Sequence, residues 1–302
     1  MAALSVWFFM INAVLNGGTP MMAYFNALID PNMVFLRYAL FAGLLAAPAF
    51  GIIGTYVVAK RMTYLAGAIA HCVLGGIGAA LYCQVHFGLL WLTPMLGAIV
   101  TAIAAALIIG LISQHSRERV DSVIGAIWVL GMAAGIIFIA KTPGYIDPMS
   151  YLFGNILMIT GQDLITIATL DVIVIGLGVL SYNRMIAACF DEEFARLRGI
   201  KTELYTLLLL CLTALTIVLM VRVVGIVMVI ALFTLPAATA SHFSARLWQM
   251  MLIATLLGML SVAGGLSLSY VLDLPSGPTI VMLSGFFYLL VIIGKGLKSR
   301  LG

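Results

Sequence analysis

Charge is what this 302-residue sequence has least of: Asp, Glu, Lys and Arg make up 9% of it, where soluble domains average about 25%. That scarcity excludes a soluble globular protein. It also excludes a disordered tail and a nucleic-acid binder, both of which are built on charge. Cysteine is scarce as well. Cys72, Cys83, Cys189 and Cys211 include no C-x-x-C pair, and on one helix Cys72 and Cys83 would stand about three turns apart, too far to bridge. A disulfide-stapled secreted domain is therefore excluded, and the cysteines read as packing residues. Neither a G-x-x-x-x-G-K-S/T loop nor an H-E-x-x-H pair occurs, so the energy for any transport must come from a gradient or a separate chain. Residues 1–28 lack a basic start and a clean A-x-A site, which argues against a cleaved leader. The 17 methionines form no M-x-x-M array and read as adaptable packing rather than a copper path.

What the sequence has in excess is apolar length. Hydrophobic residues are 64% of the chain and the mean hydropathy is +1.19. They come in blocks of roughly 20, the length that crosses a hydrocarbon core of about 30 Å. The blocks run over residues 34–59, 64–85, 88–112, 122–140 and 163–182. A tract of double length then reaches Ala240, interrupted by Arg222 and Gly225, and two more blocks cover 248–271 and 279–294. Residues 5–28 are apolar but broken by Asn16-Gly-Gly-Thr-Pro20, and fit a span, an interfacial helix or a re-entrant piece. The pattern predicts an all-α polytopic membrane protein with nine or ten transmembrane helices in a single transmembrane domain over residues 1–302.

Orientation follows from the 15 Lys and Arg. With Lys60-Arg61 in the cytoplasm, strict alternation also brings inside Arg117, Arg119, the 184–203 loop, Arg246 and the C-terminal Lys295, Lys298 and Arg300. Only Arg37, Lys141 and Arg222 fall at outer ends, as the positive-inside rule favours.

An ionisable group inside a span costs at least about 2.5–3.5 kcal/mol on insertion scales, so each is a site candidate. His71 lies a third of the way into the second block, and Gly67, His71 and Gly75 share one helical face. Small residues let a neighbouring helix approach closely, and a neutral imidazole in such a notch can ligate Zn²⁺, Mn²⁺ or Fe²⁺. The competing reading is a histidine that hydrogen-bonds across the bundle. Asp171, near the middle of the fifth block, either lines a path or accepts hydrogen bonds from a neighbouring helix. Asp163 reads as a helix-start acid, and His86 and His115 as loop histidines. On the inner side, Cys189-Phe190-Asp191-Glu192-Glu193-Phe194-Ala-Arg196-Leu-Arg198-Gly199-Ile200 reads as a short amphipathic helix with a glycine stop. Its Phe190, Phe194 and Leu197 line one side, suited to a partner. The tract Leu235-Pro236-Ala237-Ala238-Thr239-Ala240-Ser241-His242 to Arg246 ends one span and begins the next, as a docking element would.

Together these segments resemble the permease subunits of zinc/manganese/iron ABC importers, the ABC-3 family. The resemblance rests on Gly51-Ile-Ile-Gly-Thr-Tyr-Val-Val-Ala-Lys-Arg-Met62, the block into His71, Pro143-Gly-Tyr through Ser150-Tyr-Leu-Phe-Gly154, Asp191 to Gly199, and Val224-Gly225 through Ala240, in order over residues 34–297. It implies a type II ABC importer of the bacterial inner membrane. Two permease subunits, identical or paralogous, would enclose the path within the lipid. An extracytoplasmic metal-binding protein would deliver the ion, and two cytoplasmic ATPase subunits would hold the ATP. The resemblance further implies no permanently bound cofactor and a manganese, zinc or iron cargo. It assigns Leu235 to His242 and Arg246 to ATPase coupling, and Asp191, Glu192, Glu193, Phe194, Arg196, Arg198 and Gly199 to a second cytoplasmic contact. Tyr145, Asp147 and Tyr151 would lie in the segment facing the binding protein.

One position departs from the family pattern. Many members carry an aspartate four residues before this histidine; here it is Gly67. A path built on His71 must then recruit another oxygen ligand, with Asp171 a candidate. Gly67 and the Gly75-Gly76-Ile-Gly78 run also leave room for a metal chelate or cofactor-sized cargo, the second reading. A third is a proton-coupled secondary transporter with Asp171 as its carrier acid, although no inverted repeat is evident.

Overall fold

The computed structural model describes residues 24, 26–115, 120–143, 154 and 159–301. Among these the regular structure is entirely α-helical: α1 Val34–Ala59, α2 Thr63–Phe87, α3 Pro94–His115, α4 Val120–Lys141, α5 Gly161–Leu180, α6 Tyr182–Phe190, α7 Glu192–Leu197, α8 Thr202–Val224, α9 Ile226–Ser241, α10 Leu247–Leu272 and α11 Ser276–Leu301. Eight of them are long and apolar enough to cross a membrane, and α9 is a shorter apolar helix. Residues 1–23, which hold most of the 5–28 segment, lie outside the described residues.

Local chemistry sets the helix ends. The third span begins at Pro94 rather than at 88. Gly88 takes a left-handed φ of 66° that closes α2, and the Thr93 hydroxyl accepts the Leu96 N–H at 3.3 Å. Proline then fits the first helical turn, where no N–H is needed. The double-length tract divides at Gly225, whose φ of 83° ends α8 and is open to glycine without strain. Asp163 is the helix-start acid expected: its carboxylate takes the Thr160 N–H at 3.1 Å while the Thr160 hydroxyl accepts the Asp163 N–H.

Two groups of helices form, with α8 and α9 between them. In one, α1 packs on α5 and α10, and α10 on α11; in the other, α2 packs on α3 and α4. Helix α8 touches α1, α2, α3 and α5, while α9 touches α1, α2, α10 and α11. Lipid tails are as apolar as leucine, so helices associate through close van der Waals fit and small residues rather than through water exclusion. The α2–α4 seam is glycine on glycine. A Cβ on Gly75 would lie 2.8 Å from the Gly131 carbonyl oxygen, and one on Gly78 would lie 2.6 Å from that of Gly135.

At one end of the bundle the charged residues meet. Lys60 pairs with Glu192 at 3.0 Å and donates to the Thr206 hydroxyl at 2.6 Å. Gln114 donates to the Glu203 carbonyl at 2.9 Å, and Arg196 pairs with Glu203 at 3.2 Å. The ends of α1, α3, α7 and α8 therefore share the face that the positive-inside rule assigns to the cytoplasm.

Candidate functional site

His71 sits eight residues into α2, roughly 12 Å from its N-terminal start at 1.5 Å per residue. The α2–α4 seam brings Trp128, eight residues into α4, to the same depth. The two rings stack, with centroids 4.7 Å apart and planes 16° from parallel. His71 is half-buried, and its Nδ1 is enclosed with no hydrogen-bond partner. A buried imidazole nitrogen lacking a partner is costly and is the kind of atom that ligates a metal when deprotonated. Sequence reasoning missed Trp128. The available signal was a tryptophan well inside a span, away from the headgroup belt where tryptophans gather.

The space expected beside the glycines is filled. A Cβ at Gly67 would meet two Trp128 ring carbons at 2.9 and 3.1 Å and Ile230 at 3.3 Å. Gly75 and Gly78 face the α4 backbone, and a Cβ on Gly76 would lie 2.2 Å from the Gly97 carbonyl oxygen. The room argument for a larger cargo therefore loses its footing: these glycines serve helix contact.

Asp171 is buried on α5, which packs on α1 and α8, whereas α2 packs on α3, α4, α8 and α9. Its carboxyl group lies close to the backbone of Ala49, and Oδ1 has no partner. Ala49 follows Pro48 inside α1, and proline's missing N–H and ring bulk loosen the local helical ladder. Asp171 thus lies against the proline turn of α1. Among the described residues no three His, Cys, Asp or Glu side chains converge on one point. We expect Asp171→Asn, which keeps an acceptor there, to leave thermal stability near wild type. Asp171→Leu, which removes the polar contact with the Ala49 backbone, should lower it by about 1 kcal/mol. Thermal unfolding of the purified protein, followed by size-exclusion fluorescence, measures the difference.

The cytoplasmic candidates divide by exposure. Within Leu235–Arg246, Pro236, Ala237, Thr239 and Ala240 are buried, Leu235 and Ala238 partly so, and the outward surface runs from Ser241 through His242 and Phe243 to Arg246. Lys295 holds this turn by donating to the His242 carbonyl. In the second segment, Asp191 caps α7 by accepting the Phe194 N–H at 2.9 Å, and Gly199 ends it with φ 76°. Glu192 and Arg196 are engaged within the chain. Phe190, Glu193, Phe194, Leu197 and Arg198 face outward, with the Arg198 guanidinium 4.7 Å over the Phe194 ring. Tyr145, Asp147 and Tyr151 lie outside the described residues.

Cys189 lies beneath this segment. Burial pushes its thiol up to about 11; Lys60 works against the rise and Glu192 adds to it. Only the thiolate attacks an alkylating agent, and an ordinary thiol sits near ~8.5, so its thiolate fraction at pH 8 should be lower by on the order of a hundredfold. Maleimide labelling in intact membranes, read by mass spectrometry, should be slow at pH 8 and accelerate as pH rises toward 11.

Comparison with known proteins agrees with this architecture. The family model described as the ABC 3 transport family matches residues 32–295. A probable metal transport system membrane protein of Chlamydia pneumoniae is 42% identical over 257 residues, covering 85% of this chain and 87% of the relative. The manganese transport system membrane protein MntC of Halalkalibacterium halodurans is 32% identical, covering 85% and 86%. Among solved structures, PsaBC from Streptococcus pneumoniae in complex with Fab superposes with a TM-score of 0.79 at 27% identity, covering 89% of this chain and 94% of that one.

Proposed function

The chain belongs to the ABC 3 transport family, and we propose that it is the permease through which an ATP-driven importer carries a divalent transition-metal ion, manganese, zinc or iron, into the cytoplasm. It is a multi-pass transport subunit of the bacterial inner membrane and not an enzyme; the ATPase of such a transporter is a separate chain. The observation that carries the cargo reading is the His71 imidazole inside a span, half-buried, with an unpartnered Nδ1. A path must bind weakly enough to release. One imidazole per subunit, doubled by a second permease subunit, meets that need better than a closed four-ligand cage. Asp171 stands second, through its free Oδ1. Manganese is the cargo named for the Halalkalibacterium relative, which supports it as one of the three.

The ATPase seats on Ser241, His242, Phe243 and Arg246, with the outward face of Phe190, Phe194, Leu197 and Arg198 as the second contact. The binding protein meets the outer segment of Tyr145, Asp147 and Tyr151. The test is cell-associated Mn, Zn and Fe by elemental mass spectrometry in a strain lacking the chain, in one carrying it, and in one whose partner ATPase is inactivated. At least one metal should rise with the chain and fall back without the ATPase. A rise in none of the three would favour the chelate reading. A rise that survives ATPase loss but collapses with a protonophore would favour a secondary transporter using Asp171.

A further inference from the structure

The surroundings of Gly67 bear on which ion the path accepts. Gly67 and His71 are one helical turn apart on the same face of α2, so a side chain at 67 would stand beside the imidazole. Trp128 and Ile230 take that volume. The same indole lies flat on the imidazole, and α4 is held against α2 by backbone contact at Gly131 and Gly135, so the indole has a rigid mount. One side chain therefore fixes the ring plane and occupies the adjacent ligand position.

We propose that Trp128 is the positioning and selectivity residue of the path: it clamps His71 and, by filling the volume over Gly67, keeps oxygen donors off that face of α2. The proposal rests on His71 lying on the path. Carboxylate and water suit manganese, whereas imidazole suits zinc and iron. An imidazole nitrogen against an aromatic wall thus favours zinc and ferrous iron over manganese. A metal-bound imidazole also carries positive charge, which the negative face of an indole attracts, so the stack supports the loaded state.

Competitive uptake from equimolar Mn²⁺ and Zn²⁺ by cells carrying the full transporter tests this, at matched membrane abundance. Trp128→Phe, which keeps an aromatic face, should stay near wild type. Trp128→Ala should raise the half-saturating zinc concentration by about tenfold with the maximal rate retained, the mark of a ligand poorly positioned for binding. Gly67→Asp alone should lose uptake of both ions, because its side chain meets the indole. The double variant Gly67→Asp/Trp128→Ala should recover uptake and raise the manganese-to-zinc ratio by about tenfold. The proposal is overturned if Trp128→Ala keeps the wild-type half-saturation and ratio, or if the double variant shows no coupling beyond its single substitutions.

A second measurement stands apart from these variants. The chain has four tryptophans, Trp7, Trp91, Trp128 and Trp248. With the other three changed to Phe, Co²⁺ alone, a paramagnetic ion that imidazole binds, should quench Trp128 emission, and His71→Ala should abolish the quenching. Unquenched emission in a transport-active protein overturns the clamp. If His71→Ala transports as well as wild type, the path reading itself falls and this inference with it. If His71→Ala is inactive while every Trp128 variant behaves as wild type, only the inference falls.

Discussion

Replacing His71 with alanine is expected to lower metal accumulation through this chain by about tenfold or more while the protein still reaches the membrane in normal amount. The direction follows from what surrounds the ring. The indole stacked on it, and the isoleucine beside that indole over Gly67, cannot ligate a cation in its place. If the transporter pairs two copies of this chain, the substitution removes both imidazoles and leaves weak transient binding without its first ligand. The structural cost is modest by comparison. His71 is half-buried and makes no hydrogen bond through Nδ1, so the fold loses one aromatic stack, worth about 0.5–1.5 kcal/mol. Elemental mass spectrometry at matched membrane abundance measures the effect, and the metal that falls is the cargo. Unchanged accumulation of all three metals would make His71 a structural histidine.

The second large effect is on stability. Gly135→Leu should abolish recovery of monodisperse protein, and Gly135→Ala should already lower the thermal midpoint by many degrees. Even a Cβ there would lie 2.6 Å from the Leu74 carbonyl carbon and oxygen and 2.8 Å from the Gly75 nitrogen. These are backbone atoms that cannot turn aside, so the helices must separate along the seam that places Trp128 over His71. Overpacking of a tight contact costs about 1–3 kcal/mol or more, and in lipid no water-exclusion gain offsets the lost fit. Gly125 on the same helix is the control. A Cβ there meets nothing within 4 Å, so Gly125→Ala should be neutral or slightly stabilising through its higher helix propensity. Size-exclusion fluorescence of heated samples compares the three variants, and equal midpoints for Gly135→Ala and Gly125→Ala would refute the backbone-contact account.

Much of the fold was legible in the sequence because the bilayer imposes a length. Blocks of about 20 apolar residues with Lys and Arg at alternate ends mark spans and orientation before any packing is known. The edges were less legible where turn chemistry decides them: Gly88 and Thr93 delay the third span to Pro94. The site was half legible. His71 stood out because an ionisable group inside a span is costly. Trp128, 57 positions away, did not, since nothing local ties it to a histidine on another helix.

The glycines show the boundary. Small residues on α2 announced close approach by a neighbour, but they read equally as room for cargo. Only the packing of α4 and α3 against them shows that backbone fills the space. Likewise, the composition of Leu235–Ala240 suggested a docking element, and the fold turns most of it inward and leaves Ser241–Arg246 on the surface. By itself the sequence determined a polytopic helical protein and one ionisable side chain set within a span, and it predicted an orientation. The tertiary structure alone decided which helices meet, that an indole lies on the imidazole, and that Asp171 lies against the proline turn of α1. The physical reason is the solvent. In water a helix declares its inner face by being apolar there, but in lipid both faces are apolar, and only the fit of one surface to another distinguishes them.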